Sequence, residues 1–145
     1  EALPILAKTF DKIVITTNQK GIGKGLMTHE DLSIIHHNML KKIFSVGGRI
    51  DDIFYCADLD NDSVNRKPQP GMAFQAQQKY PNIDFSKSIM VGNRLSDMEF
   101  GKNATMHTVF VATTHPETAF PHPSIDLRFQ DLLDLAFHAI PLGNY

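Results

Sequence analysis

Apolar and polar residues alternate along the chain in two patterns, one typical of strands and one of helices. Short runs rich in β-branched and aromatic residues predict buried strands at 12–16, 50–56, 88–91 and 108–112, and a short strand or turn near 126–129. Apolar residues three or four positions apart predict helices at 1–10, 28–46, 71–80, 96–102 and 131–140. Because strands that alternate with helices form βαβ units, we predict an α/β fold in which helices cover both faces of a parallel sheet.

The length and composition favour a single folded domain over residues 1–145. No internal repeat or linker interrupts the pattern, and 42% of the residues are hydrophobic against 21% charged, which excludes a disordered chain. No apolar run reaches the roughly 18–20 residues that a membrane span requires. The one cysteine, Cys56, excludes an internal disulfide, and since no secretory signal is visible we expect a cytoplasmic protein.

The charge balance gives little sign of a polyanionic partner. Fourteen lysine and arginine residues face sixteen aspartate and glutamate residues, for a formal net charge of −2. A nucleic-acid binder usually carries a basic stripe, whereas the densest basic pairs here are Lys41-Lys42 and Arg66-Lys67. We therefore expect neither a nucleic-acid nor a membrane partner, and the oligomeric state stays open.

Chemistry-bearing residues follow three of the predicted strands. In open parallel sheets a ligand binds outside the carboxyl ends of the strands, so residues delivered there are candidates for a common site. These residues are Thr17, Asn18, Gln19, Arg66, Lys67, Asn93 and Asp97.

Thr17, Asn18 and Gln19, with the glycines of 21–25, suit a phosphate group. A hydroxyl and backbone N–H groups at a strand end can aim several donors at one anion. The alternative is a plain turn between strand and helix, which needs glycine in any case. A Walker A motif is excluded, because Asn18 and Gly25 stand where that motif requires glycine and Ser/Thr.

The Arg66-Lys67-Pro68 sequence offers two cations beside a proline that restricts the backbone. A fixed ammonium can neutralise phosphate charge as it develops, and a guanidinium can bind phosphate oxygens in a bidentate manner. The alternative is a solvated basic pair before a helix.

Asn93 and Asp97 supply oxygens beyond the third strand, and Gly92 before them allows a close approach. Such oxygens suit a hard cation such as Mg²⁺. The alternative is helix capping, with Asn93 or Ser96 as the N-cap and Asp97 in the first turn.

Three further groups have simpler interpretations. The run Asp58-Leu59-Asp60-Asn61-Asp62 resembles the start of a calcium loop but lacks its glycine and glutamate, so we interpret it as a solvated loop. His36-His37 has no Glu-x-x-His partner and suits packing or surface roles. Cys56 is expected to be a buried thiol.

In their order along the chain, the motifs resemble those of the haloacid dehalogenase (HAD) superfamily of phosphatases. They read Thr-Asn-Gln-x-Gly-Ile-x-x-Gly at 17–25, Arg-Lys-Pro-x-Pro-Gly-Met at 66–72 and Val-Gly-Asn-x-x-x-Asp-Met at 91–98. The branch they resemble most is that of the histidinol-phosphate and D-glycero-D-manno-heptose bisphosphate phosphatases, over Glu1 to about Ala112. The resemblance implies a Rossmann-like core, and with no long insertion between the motifs we expect no sizeable cap domain.

The resemblance also implies a role for each candidate residue. Thr17 would bind the transferring phosphoryl group, Lys67 would orient nucleophile and phosphate, and positions 93 and 97 would hold Mg²⁺. The remaining three would face the substrate: Asn18, Gln19 and Arg66.

The sequence departs from the family pattern at three points. The nucleophile motif Asp-x-Asp-x-Thr/Val belongs on a strand before a helix like that at 1–10, and we expect the natural protein to carry about 40–50 further residues that hold this strand. Asn93 replaces the usual aspartate and should weaken Mg²⁺ binding. The Cys/His zinc loop of this branch is absent, since Cys56 is followed by no second cysteine.

We therefore expect a Mg²⁺-dependent phosphatase that hydrolyses a small sugar phosphate or histidinol-phosphate-like ester through an aspartyl-phosphate intermediate. One alternative is a DNA 3′-phosphatase-type enzyme, which shares the Thr-Asn-Gln and Arg-Lys-Pro motifs but is disfavoured by the net charge. A second alternative is a catalytically degenerate HAD-like module that binds phosphate or a protein.

Overall fold

The order of elements in the computed structural model follows the predicted alternation of strands and helices. The structure describes the backbone of residues 1–143 and the side chains of residues 1–139. The helices are α1 (Ala2–Thr9), α2 (Lys20–Gly23), α3 (His29–Ser45), α4 (Gly71–Lys79), α5 (Leu95–Asn103) and α6 (Leu132–Gly143). The strands are β1 (Val14–Asn18), β2 (Asp52–Cys56), β3 (Ile89–Gly92), β4 (His107–Val111) and β5 (Leu127–Phe129). The predicted α/β class is confirmed.

The strands of the described residues pair in two parallel sheets, one of two strands and one of three. In the first, β1 pairs with β2, with Val14 opposite Asp52 and Asn18 opposite Cys56. In the second, the order is β3-β4-β5, and both pairings are parallel. The chain divides into two compact units, residues 1–59 with 136–145, and residues 60–135. The single domain over 1–145 stays a prediction.

In the first unit, polar contacts fix the ends of the helices. Thr28 and Asp31 form a reciprocal capping box that starts α3. After α3, Arg49 donates to the carbonyl oxygens of Ala7 at 2.8 Å and Asp11 at 3.0 Å. The same guanidinium contacts Asp51 at 3.1 Å, so one side chain ties the end of α1 to the start of β2.

In the second unit, α5 lies close against the sheet. Met98 and Phe100 on α5 are fully buried, as is Phe110 on β4. A Cβ on Gly101 would lie 2.7 Å from Thr108 Cγ2 and 2.8 Å from Met90 Cβ, so only glycine allows this approach. Helix α5 is therefore fixed on β3 and β4, next to the carboxyl end of β3.

Three details differ from the predictions. β1 runs two residues further than the apolar run, because Thr17 and Asn18 pair with Tyr55 and Cys56. The glycine-containing segment after β1 forms the short helix α2. The sequence did not predict this helix, because glycine disfavours helical structure. The N-cap of α5 is Arg94, with no side-chain capping bond, so neither Asn93 nor Ser96 has the capping role considered for it.

Cys56 is buried, with 3% of its surface exposed, as predicted. Within the described part of the chain, no helix combines the length and the apolar character needed to cross a membrane.

Candidate active site

Lys67 and Asp97 form the central contact of the candidate site in the second unit. The Lys67 ammonium donates to Asp97 Oδ1 at 2.7 Å, and the two side chains are only 12% and 10% exposed. A buried carboxylate is costly unless it is paired and hydrogen-bonded, and here a lysine supplies both the charge and the bond. The structure thus brings together two of the residues that the sequence predicted for one site.

Asp97 fits at the carboxyl end of β3 because Gly92 has no side chain. It lies in the first turn of α5, as predicted. A Cβ on Gly92 would lie 2.3 Å from Asp97 Cβ and 2.5 Å from its Oδ2. Gly92 is therefore required for the position of Asp97, which agrees with the close approach expected of this glycine.

The loop that carries Lys67 is folded onto the start of α4. The Gly71 N–H donates to the Val64 carbonyl oxygen at 2.8 Å, and Asn65 Oδ1 accepts from Gln75 Nε2 at 3.0 Å. A Cβ on Gly71 would lie 2.3 Å from both of those acceptor oxygens. These contacts close the loop on both sides of Lys67.

A further contact ties this loop to α5. Asn103 Nδ2 donates to the Pro68 carbonyl oxygen at 3.0 Å. Neither Asn103 nor the Asn65–Gln75 pair was predicted to take part in the site, because contacts between residues 10 to 35 positions apart leave no periodic signal in a single sequence.

Arg66 lies beside Lys67 and is half-buried. Its Nη1 atom is buried and has no hydrogen-bond partner within the described residues, which is rare for a guanidinium nitrogen. An anion such as a phosphate oxygen would satisfy it, since guanidinium groups bind phosphate with high geometric fit.

Asn93 follows Gly92 at the end of β3 and is half-buried. No group of three or more His, Cys, Asp or Glu side chains within the described residues could hold a metal ion. The side-chain oxygens that the motif places here are the neutral amide of Asn93 and the Asp97 carboxylate, which accepts from Lys67. These two groups offer less negative charge than a Mg²⁺ site with two free carboxylates.

The three candidates of the first unit lie together at the carboxyl end of β1. Gln19 Nε2 donates to Thr17 Oγ1 at 3.2 Å, and the Gln19 N–H donates to the Cys56 carbonyl oxygen at 2.7 Å. Thr17 and Asn18 are half-buried strand residues that pair with β2. The side chain of Gln19 thus contacts the Thr17 hydroxyl, and the sequence did not predict this contact.

The remaining polar groups singled out in the sequence lie on a loop and on α3. Asp58, Asp60 and Asp62 are exposed, as expected of a solvated loop. His36 packs edge-on against the Tyr55 ring, with the ring centres 6.2 Å apart. It belongs to a groove of about 400 Å³ between α3 and β2, where His29 Nδ1 lies 2.6 Å from the Tyr55 hydroxyl.

Comparisons with known proteins agree on one family. A family model described as HAD-hydrolase-like matches residues 64–135, which include Lys67, Asn93 and Asp97. The D-glycero-beta-D-manno-heptose-1,7-bisphosphate 7-phosphatase of Yersinia pestis is 35% identical over 132 residues, covering 85% of this chain and 70% of the relative. The corresponding alpha enzyme of Photorhabdus laumondii is 34% identical over 118 residues, covering 76% of this chain and 64% of the relative.

A solved structure adds the fold. The crystal structure of D,D-heptose 1,7-bisphosphate phosphatase from B. bronchiseptica, complexed with magnesium and phosphate, has a TM-score of 0.86 and 26% identity. The match covers 97% of this chain and 80% of that one. The chain spans about two thirds of the length of the curated relatives it matches.

Proposed function

Since this chain belongs to the HAD hydrolases, in the branch of the heptose-bisphosphate phosphatases, we propose that it is the phosphate-binding part of a sugar-phosphate phosphatase. The relatives and the solved structure confirm the predicted family and the predicted fold class. The observation that carries the proposal is the buried contact of Lys67 with Asp97 beside Gly92.

The substrate we propose is a sugar bisphosphate of the kind named for the relatives, D-glycero-D-manno-heptose 1,7-bisphosphate. Relatives named for the beta and for the alpha anomer match with similar identity, 35% and 34%, so we propose no choice between the anomers. No relative reported above is named for histidinol phosphate or for DNA, and neither is proposed.

Lys67 has the chemistry to act on a phosphoryl group. Its ammonium can neutralise charge on the phosphoryl oxygens as the bond to the leaving oxygen breaks. Asp97 keeps that ammonium in one place before the substrate binds. Arg66 offers the buried Nη1 atom that lacks a partner in the described residues, and we propose that a phosphoryl oxygen accepts from it.

In the first unit we propose that the Thr17 hydroxyl donates to a phosphoryl oxygen and that Asn18 faces the substrate. Gln19 also faces the substrate in this proposal, and its contact with Thr17 Oγ1 at 3.2 Å orients the hydroxyl. The assays described next use the full-length protein.

The proposal is tested by comparing two lysines that both pair with aspartate. Lys67→Ala is expected to lower kcat/KM for heptose bisphosphate by at least about 100-fold, as for removal of one charge-stabilising donor. Lys102→Ala removes a pair of similar length, 2.6 Å to Asp126, and should retain wild-type activity. Phosphate release is measured with both variants, and melting temperatures confirm that each is folded.

Equal activity of the wild type and Lys67→Ala would contradict the proposed role of Lys67. Absence of turnover by the wild type on heptose bisphosphate, fructose 1,6-bisphosphate and p-nitrophenyl phosphate would instead favour a binding module.

A second experiment concerns the metal. Mg²⁺ supplies charge neutralisation in phosphoryl transfer when it is bound. We propose that Asn93 faces the ion, and Asn93→Asp is expected to tighten Mg²⁺ binding by roughly tenfold or more, because a carboxylate replaces a neutral oxygen. Isothermal titration with MgCl₂ measures this affinity in the full-length protein.

The matched control is Asn82→Asp, which adds the same charge at an exposed position after α4. If Asn93→Asp and Asn82→Asp bind Mg²⁺ with the same affinity, then Asn93 does not face the ion.

A further inference from the structure

Helix α5 contacts the segment Lys67-Pro68 at two points. Asp97 in its first turn accepts from the Lys67 ammonium at 2.7 Å, and Asn103 at its last position donates to the Pro68 carbonyl oxygen at 3.0 Å. These α5 residues are six positions apart, which corresponds to about 9 Å along a helix axis. One contact holds the charged end of the lysine, and the other holds the backbone next to it.

The helix that makes both contacts is well anchored. Met98 and Phe100 are fully buried, and Met98 packs with Phe110 and Ile125 in the core of the second unit. Gly101 brings the helix into direct contact with the sheet. Because a packed core resists displacement, a loop bonded to α5 at two points takes up one position relative to β3.

The two contacts differ once a phosphate group binds. A phosphoryl oxygen competes with the Asp97 carboxylate for the Lys67 ammonium, so that contact changes during binding. The bond from Asn103 ends on a backbone carbonyl, and no phosphate group competes for it. Since the lysine stem is flexible, its ammonium is then placed mainly by where its backbone is held.

We propose that Asn103 is a positioning residue, which sets the place of the Lys67 ammonium through the backbone of Pro68. The inference rests on the proposed function, because it assigns to Asn103 an effect on phosphate binding by Lys67. Asn103 itself does not touch the substrate.

The test is the binding of inorganic phosphate to the full-length protein, measured by isothermal titration. Asn103→Ala is expected to weaken phosphate binding by about 3- to 10-fold, the usual worth of one hydrogen bond, and to lower kcat/KM by a similar factor. Asn103→Asp keeps the shape but loses the donor, and should match Asn103→Ala. Asn103→Gln keeps an amide donor and should recover part of the affinity.

Two further variants distinguish the positioning role of Asn103 from a purely structural one. Lys102→Ala, the neighbouring position on α5, loses the contact with Asp126 and is expected to lower the melting temperature without changing the phosphate Kd. In a Lys67→Ala background, Asn103→Ala should have no further effect on phosphate binding, because the group that it positions is gone.

Two results would overturn the inference while leaving the proposed function intact. In the first, Asn103→Ala binds phosphate as tightly as the wild type does, although Lys67→Ala binds it clearly more weakly. In the second, Asn103→Ala weakens phosphate binding by the same factor in the wild type and in the Lys67→Ala background. Wild-type phosphate affinity in Lys67→Ala would overturn the proposed function itself, and this inference with it.

Discussion

Gly92 shows how one residue without a side chain determines where a charged group can lie. The Asp97 carboxylate occupies the space that a Cβ at position 92 would take, with a separation of 2.5 Å to Oδ2. The contact lies at the end of a strand, where the chain must leave the sheet and start α5 within three residues. Glycine is therefore required here for steric reasons and not for its backbone conformation, since the φ angle of Gly92 does not lie in the left-handed region.

Gly92→Ala is expected to destabilise the protein by about 1–3 kcal/mol, because the added methyl group must displace Asp97 in a packed region. The control is Gly21→Ala, where no heavy atom of the described residues beyond the adjacent residues and the helix's own backbone lies within 4 Å of the added Cβ. Gly21 lies in α2, so alanine there should leave the stability unchanged or raise it by up to about 1 kcal/mol. Urea unfolding measures the free energy of unfolding of both variants. If Gly92→Ala loses no more stability than Gly21→Ala, then Asp97 moves aside without cost.

At the scale of elements, hydrophobic periodicity predicts most of this fold. Each of the four main apolar runs is a strand, and each of the five predicted helices is present, with ends displaced by a few residues at most. The errors fall where local preference and tertiary pairing disagree. β1 extends through Thr17 and Asn18 because β2 supplies backbone partners, and α2 forms despite two glycines.

The site could be predicted as a set of residues but not as a set of contacts. Strand ends and motif spacing selected Lys67 and Asp97 separately, one for phosphate and one for a cation. That the two bond to each other across 30 positions depends on how α5 packs on β3, which no local pattern records. The same holds for Asn103, whose partner is a backbone carbonyl and leaves no trace in residue type.

At the scale of the whole molecule, the pKa values of several carboxyl groups are lowered by their hydrogen bonds. Hydrogen bonds from Thr28 lower the pKa of Asp31, those from Ser86 lower the pKa of Asp84, and a backbone N–H bond is the main cause for Glu117. The pKa of Asp126 is lowered first by its bond to Lys102 and then by the Thr108 N–H. A carboxyl whose folded pKa is lowered stabilises the protein above its unfolded pKa, and this contribution disappears as the pH falls through the folded value.

Asp126 allows this effect to be measured. Its carboxylate accepts from the Lys102 ammonium at 2.6 Å and from the Thr108 N–H at 2.9 Å, joining the start of β4 to the residue before β5. Because the side chain is 38% exposed, solvent screens the pair, and Asp126→Asn is expected to cost less than about 1 kcal/mol at pH 7. That difference should narrow once the pH falls below the ordinary aspartate pKa of about 3.9, because the unfolded chain then binds a proton that the folded carboxylate, with its lowered pKa, does not yet bind.

Urea unfolding of the wild type and Asp126→Asn at pH 7 and at pH 3 measures the two differences. Lys102→Ala removes the same pair from its other side, and its deficit should shrink over the same pH range. A deficit of Asp126→Asn that stays constant down to pH 3 would mean that the loss comes from packing and not from the charge.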